Sequence, residues 1–266
     1  MIGFLCCIKK DAIEFTRTKK NILFGIIQLL VTGMVISVTK FFPALIGKVV
    51  EKAPEIMADG SQFQQVLLKL FPQNTMGSMG IWSSDVVIVF SIVIALTCCS
   101  LLPEEIRSGK WILVLEAGYR KWQLVLSKII VYSTGTALSI LIGYNLYYII
   151  SKFVIEDNYS FQLVSANSVV LSIAVFFITA IAISISVIYK NHVTAVITII
   201  MTLLVAPDIL TMFSFGKYFP TYLLTFVYNS SSCYRELIVP GIVLLLLQIF
   251  LFGLAMKRID NVEVPR

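Results

Sequence analysis

The sequence predicts an all-α integral membrane protein of six transmembrane helices, and three observations carry that expectation. Hydrophobic residues make up 58% and charged residues only 14% of the 266, far from the roughly 45–50% and 25% of water-soluble domains. Apolar runs of about 20 residues, the length a helix needs to cross a hydrocarbon layer about 30 Å thick, recur along the whole chain. The cations that give the net charge of +6 stand at the ends of these runs instead of on one basic face, which argues for topology and against nucleic acid.

The first 21 residues form an amphipathic helix ahead of the spans. Leu5, Ile8, Ala12 and Phe15 recur at helical steps, and Lys9, Lys10, Glu14 and Arg17 lie off that stripe, a pattern suited to a helix lying in the membrane surface. The positive charges follow a short apolar patch instead of preceding a long one, so no cleaved signal peptide is expected. Spans are predicted at 22–39, 86–102, 129–150, 163–188, from 193 onward, and at 237–256. An even number puts both termini on one side. Fourteen of the 21 Lys and Arg fall on that side and seven on the other, so the positive-inside rule makes the termini cytoplasmic. Residues 40–84, with Pro43, Pro54 and Pro72, read as an extracellular loop holding a short helix near 61–70.

Spans three and four carry small residues at intervals of four, Gly135, Ser139 and Gly143 in one and Ser168, Ser172, Ala180 and Ser184 in the other, which suits close helix approach in lipid. Span five is irregular: its clean apolar run, 193–206, gives about 21 Å of helix, too little to cross alone. Either the helix continues through Pro207 and Asp208 or it breaks there. Residues 207–236 are too apolar for a solvated loop and read as a broken, re-entrant hairpin on the outer side. No separate soluble domain is expected within residues 1–266.

Catalytic chemistry is missing from this pattern. The single histidine, His192, lies in a short inner turn, and the five cysteines have no spacing for a disulfide framework or a zinc site, so neither catalysis nor a metal is expected of this chain. The one Gly-Lys pair, Gly109-Lys110, lacks the glycine five residues upstream and has Trp111 where a phosphate loop needs Ser or Thr. If the protein works as an active pump, the motor is another polypeptide or an ion gradient.

The stretch that departs from the apolar pattern is PEEIRSGKWILVLEAGYRKWQLVLSK, residues 103–128, predicted to be cytoplasmic. Pro103 followed by Glu104 and Glu105 reads as the first turn of a short helix, with Gly109 loosening it and Gly118 ending it. Glu105, Arg107 and Gly109, an apolar run, and then Gly118, Tyr119, Arg120, Lys121, Trp122 and Gln123 resemble the first cytoplasmic loop of the ABC type-2 exporter permeases, although Ala117 stands where many of those have proline. The layout of the chain is similar to theirs throughout.

The resemblance implies an N-terminal elbow helix and a coupling helix that docks on a separate cytosolic ABC ATPase, present in two copies, which binds ATP and Mg while this chain binds no cofactor. Glu104, Glu105, Arg107, Lys110 and Glu116 would supply polar contacts, Gly109 the turn, and Trp111, Leu113 and Leu115 the apolar knobs; Lys190, Asn191 and His192 would form a secondary contact. It further implies a second permease copy, as homodimer or paralogue heterodimer, in a bacterial plasma membrane. Spans one, two and five would line a path for an amphiphile such as a peptide, lipid or hydrophobic drug, with Gln28, Thr32, Met34, Ser91, Thr198, Met201 and Thr202 as wall candidates. Two rival functions stay open: an ion-coupled carrier or channel using Asp208, and a non-transporting immunity or scaffold protein. A loop that is merely basic, with no partner, is the plain alternative for residues 103–128.

Overall fold

The computed structural model describes residues 2–52, 75–155, 160–189, 192–205, 209, 222–226 and 234–260. It is helical throughout. Helix α1 (Ile2–Arg17) turns at Lys19, whose φ of 55° makes the corner, into α2 (Lys20–Lys52). There follow α3 (Thr75–Arg107), the short α4 (Lys110–Glu116), α5 (Lys121–Ile155), α6 (Phe161–Ile188) and α7 (His192–Ile200). The chain past α7 winds wider, as a π-type turn over Met201–Val205, and α8 (Tyr222–Phe226) and α9 (Ile238–Asp260) complete the described elements. Five of these helices are long and apolar enough to cross a membrane, and the sixth apolar stretch, His192–Val205, is shorter. The protein is a multi-pass, all-α membrane protein.

The first two spans are longer than their apolar runs suggest. Helix α2 continues past residue 39 to Lys52, and α3 begins at Thr75, eleven residues before the predicted start, so much of the stretch read as an outer loop is helix. Polarity ends a membrane crossing without ending a helix, because a helical backbone satisfies its own hydrogen bonds in water and lipid alike. Lys40, the residue that seemed to close span one, extends its Nζ 3.1 Å to the Val154 carbonyl and caps the end of α5. The short helix expected near 61–70 lies outside the described residues, as do Pro207, Asp208 and most of the expected hairpin.

Helix α6 is the centre of the bundle: 72% of its most apolar window is buried, and α3, α5 and α9 pack around it. Its small residues let neighbours in, as their spacing predicted. Thr179 meets Thr136 of α5 at 2.9 Å, Asn145 Nδ2 donates to Ser168 at 3.1 Å, and Gln248 Nε2 of α9 donates to Ser184 at 3.3 Å. Away from water such pairs give polar side chains partners they could not find in lipid. Trp82 of α3 is wholly buried, stacks on Tyr147 at 5.4 Å, meets Tyr144 edge-on and donates to Thr32 of α2 at 2.9 Å. In contrast, only 11% of the apolar window of α9 is covered, and Ile242, Leu246 and Phe250 stand bare on it. In lipid such a surface is solvated; in water it would aggregate.

Candidate functional site

Helix α3 does not end before Pro103, as the sequence suggested, but carries it one turn from its C-terminus and stops at Arg107. A proline there removes a single backbone donor, and its neighbours absorb the gap. The chain reverses at Gly109, with φ 71°, where Ile112 N–H donates to the Gly109 carbonyl at 3.0 Å. Helix α4 then runs for seven residues and closes on Gly118, with φ 87°. Gly118 N–H reaches the Leu115 carbonyl at 2.9 Å and Tyr119 N–H the Val114 carbonyl at 3.3 Å, the paired bonds of a Schellman end. Two residues on, the Gln123 side chain accepts from Arg120 N–H at 3.1 Å and starts α5, one half of a capping box. Both glycines read as breaks in the sequence are therefore left-handed corners, and α4 is a distinct short helix between them.

What fixes α4 to the bundle is a buried charge cluster. Lys128 of α5, 1% exposed, places its Nζ 2.9 Å from Glu105 Oε1, 3.3 Å from Asp11 Oδ1 and 3.5 Å from Glu14 Oε2. The other Glu105 oxygen accepts from Trp111 Nε1 of α4 at 3.1 Å, and the other Asp11 oxygen from the Ser127 hydroxyl. Lys10 approaches both Asp11 and Glu105 at 3.7 Å. Helices α1, α3, α4 and α5 thus meet at one point, which buries the Asp11 and Glu105 carboxylates, with Glu14 half-buried beside them, at acceptable cost only because Lys128 and the donors around it are all present. Asp11, Glu14 and Glu105 have oxygens close enough together to hold a cation, and the Lys128 ammonium already fills that position.

This cluster corrects the reading of α1. The stripe that turns inward is Cys7, Asp11 and Phe15; of the expected Leu5–Ile8–Ala12–Phe15 stripe, Phe15 is buried, Ile8 and Ala12 are half-buried and Leu5 is exposed. Phe15 packs edge-on against Tyr132 at 5.1 Å and fits over Gly135, where a Cβ would come within 2.7 Å of its ring. Burial, with Asp11 adding to it, pushes the Cys7 thiol above its ordinary value. The helix expected at the membrane surface is seated on α5, and the signal that would have found this seat, an acid facing inward beside Cys7 and Phe15, has its partner far along the chain.

Of the residues singled out in the loop, Glu105 and Trp111 turn inward and are spent on the cluster. Glu104, Arg107, Lys110 and Glu116 are exposed, Gly109 and Leu115 are half-covered, and Leu113 is 74% exposed at the tip of α4. Lys121 reaches from the start of α5 to the Ile259 carbonyl at 3.1 Å, so the last turn of α9 lies at the same end of the bundle as α4 and α1. Lys190 and Asn191 lie outside the described residues; His192 opens α7, half-buried.

The wall candidates do not converge on one surface. Gln28 and Thr32 line a groove of 530 Å³ between α2 and α5. Its floor is made by glycines: Gln28 lies over Gly143 and donates to Ser139 at 3.2 Å, and Gly25 has open space before it. Ser91 is buried in α3, whereas Met34, Met201 and Thr202 are exposed and Thr198 bonds back to the Thr194 carbonyl within α7.

Compared with family models, with curated proteins and with solved structures, the chain matches none.

Proposed function

We propose that the chain is the membrane-spanning subunit of an ATP-driven exporter of the ABC type-2 kind, moving an amphiphilic substrate while a separate cytosolic ATPase supplies the energy. The observation that supports this most is α4 with its mooring. One side of the helix is tied through Trp111 and Glu105 to Lys128 and Asp11, while Leu113 on the same helix is bare, Lys110 and Glu116 at its ends are exposed, and Arg107 is exposed at the end of α3 just before it. An apolar tip ringed by charges is the composition of a small protein contact. Force applied to that tip passes to the feet of two spans and to α1 by way of buried ion pairs. For nucleotide to drive transport, each state of the spans must bind the nucleotide-loaded motor differently, and a rigid foot is the simplest part to carry that difference.

Met34, Met201 and Thr202 belong to the same proposal: they lie on exposed faces, where a second copy of the chain would close the path. The test is co-purification with a candidate cytosolic ABC ATPase co-expressed with it, followed by ATP turnover of the complex. Leu113→Asp and Arg107→Glu, both on the exposed side of the foot, are expected to release the ATPase and leave the permease folded. If the wild-type chain brings down no ATPase, or if both variants bind and turn over like wild type, the assignment fails.

A further inference from the structure

The groove between α2 and α5 points to a resident ligand. We propose that it holds one acyl chain of an anionic phospholipid from the leaflet on the α1 side, with the headgroup at the corner formed by Arg17, Lys19 and Lys20. The inference needs only the membrane reading and is independent of the exporter proposal.

The groove has the dimensions of a lipid tail. Along α2 its lining runs from Asn21 to Thr32, about 16 Å at helical rise, roughly half of a 30 Å hydrocarbon core and so one leaflet deep. It begins at Phe15 and Asn21, at the α1–α2 corner, and its rim residues Leu29, Leu138 and Ile142 are exposed, so it opens sideways toward lipid. Its volume lies within the range of small-ligand sites. Within the slot the polar side chains are occupied, Gln28 bonded to Ser139 and Thr32 to Trp82, and the one further polar lining residue, Asn21, stands exposed at the α1–α2 corner where a headgroup would lie, which leaves the wall itself to hydrocarbon. Gly25 keeps the floor clear, because no atom lies within 4 Å of where its side chain would begin.

The mouth is charged in one sense. Arg17 and Lys19 are exposed, and Lys20 lies with its Nζ 5.0 Å from the centre of the Tyr132 ring. Among the described residues none of these three cations is in an ion pair; Lys20, half-buried over Tyr132, feels the Glu14 and Glu104 carboxylates at longer range, whereas Arg17 and Lys19 stand exposed. Two exposed cations, Arg17 and Lys19, with Lys20 behind them, beside the end of an apolar slot match an anionic headgroup joined to a tail, whereas a neighbouring helix would fill the slot and leave the two exposed charges unanswered.

Native mass spectrometry of the full chain in mild detergent, offered equal amounts of dioleoyl-phosphatidylglycerol and dioleoyl-phosphatidylcholine, tests this. The wild-type protein is expected to retain one phosphatidylglycerol, preferred by about tenfold or more over the zwitterion. Gly25→Leu, which extends into open space, should lose the retained lipid at an unchanged melting temperature. The double variant Arg17→Gln/Lys19→Gln should keep one lipid and lose the preference. Retention of no lipid by wild type, equal retention of both lipids, or undiminished retention by Gly25→Leu overturns the proposal. Cross-linking of two copies through cysteines at positions 29 and 142 would overturn it as well, by giving the groove to a second chain.

Discussion

Lys128 is the residue on which the inner end of the molecule depends. Its ammonium touches carboxylates from α1 and α3, and with 1% exposure it has no water to fall back on. Removing one partner of a buried ion pair commonly costs about 3–5 kcal/mol, because the charge left behind has nothing to answer it. Lys128→Met should therefore lower the melting temperature in detergent sharply, and Asp11→Asn, which keeps a group able to bond Ser127, should lower it less. A double variant that falls by the sum of the two single effects would show that the pair is not coupled. A second residue-level expectation concerns the adjacent thiols. Cys6 is exposed, whereas Cys7 is buried with its thiol pushed above its ordinary value by burial and by Asp11, so less of it is thiolate at any pH near neutrality. Maleimide at pH 7 should label Cys6 and spare Cys7, and equal labelling would mean that α1 is not docked as described.

At the scale of elements, α4 is defined by its two glycine corners. No atom stands within 4 Å of a Cβ at Gly118, so the only penalty for a side chain there is the left-handed backbone, about 1–2 kcal/mol for alanine. Gly118→Ala should lower the melting temperature, with Gly118→Asn losing less because asparagine tolerates that conformation; identical behaviour of the two would deny that φ governs the site. Both corners were legible in the sequence, since glycine on either side of an apolar run is local information. The existence of the long helices was legible for the same reason. Their ends were not: Lys40 and Pro103 look like stops when read alone, yet one caps a neighbouring helix and the other sits in a last turn that loses little by holding it. The inward face of α1 was only partly legible: Phe15 lies on the expected stripe, but periodicity gives no reason to turn the polar Asp11 inward. Only Lys128 and Ser127, both distant in sequence, make inward the better choice.

For the whole molecule the order of burial sets the environment. α6 is mostly covered by other helices while α9 is almost bare, a distribution that suits a bundle dissolved in lipid and not in water. Caps and ion pairs gather α1, α4, the start of α5 and the end of α9 at one pole, and the end of α5 beside Lys40 marks the other. By the positive-inside rule, the excess of Lys and Arg at the first pole leads us to expect that pole to face the cytoplasm. Two exposed positions measure this directly: in a background with its five native cysteines replaced by alanine, Phe153→Cys should react with an impermeant maleimide added to intact cells. Leu113→Cys should react only after the cells are opened, and the reverse pattern would invert the molecule in its membrane.

The link between Asp11 and Lys128 also sets a timetable for biogenesis. The acid leaves the ribosome 117 residues before the lysine that will hold it, an interval on the order of ten seconds at 5–20 residues per second. Until α5 has been delivered, α1 has no seat and waits at the aqueous boundary, so a helix made well before its partner settles only after it.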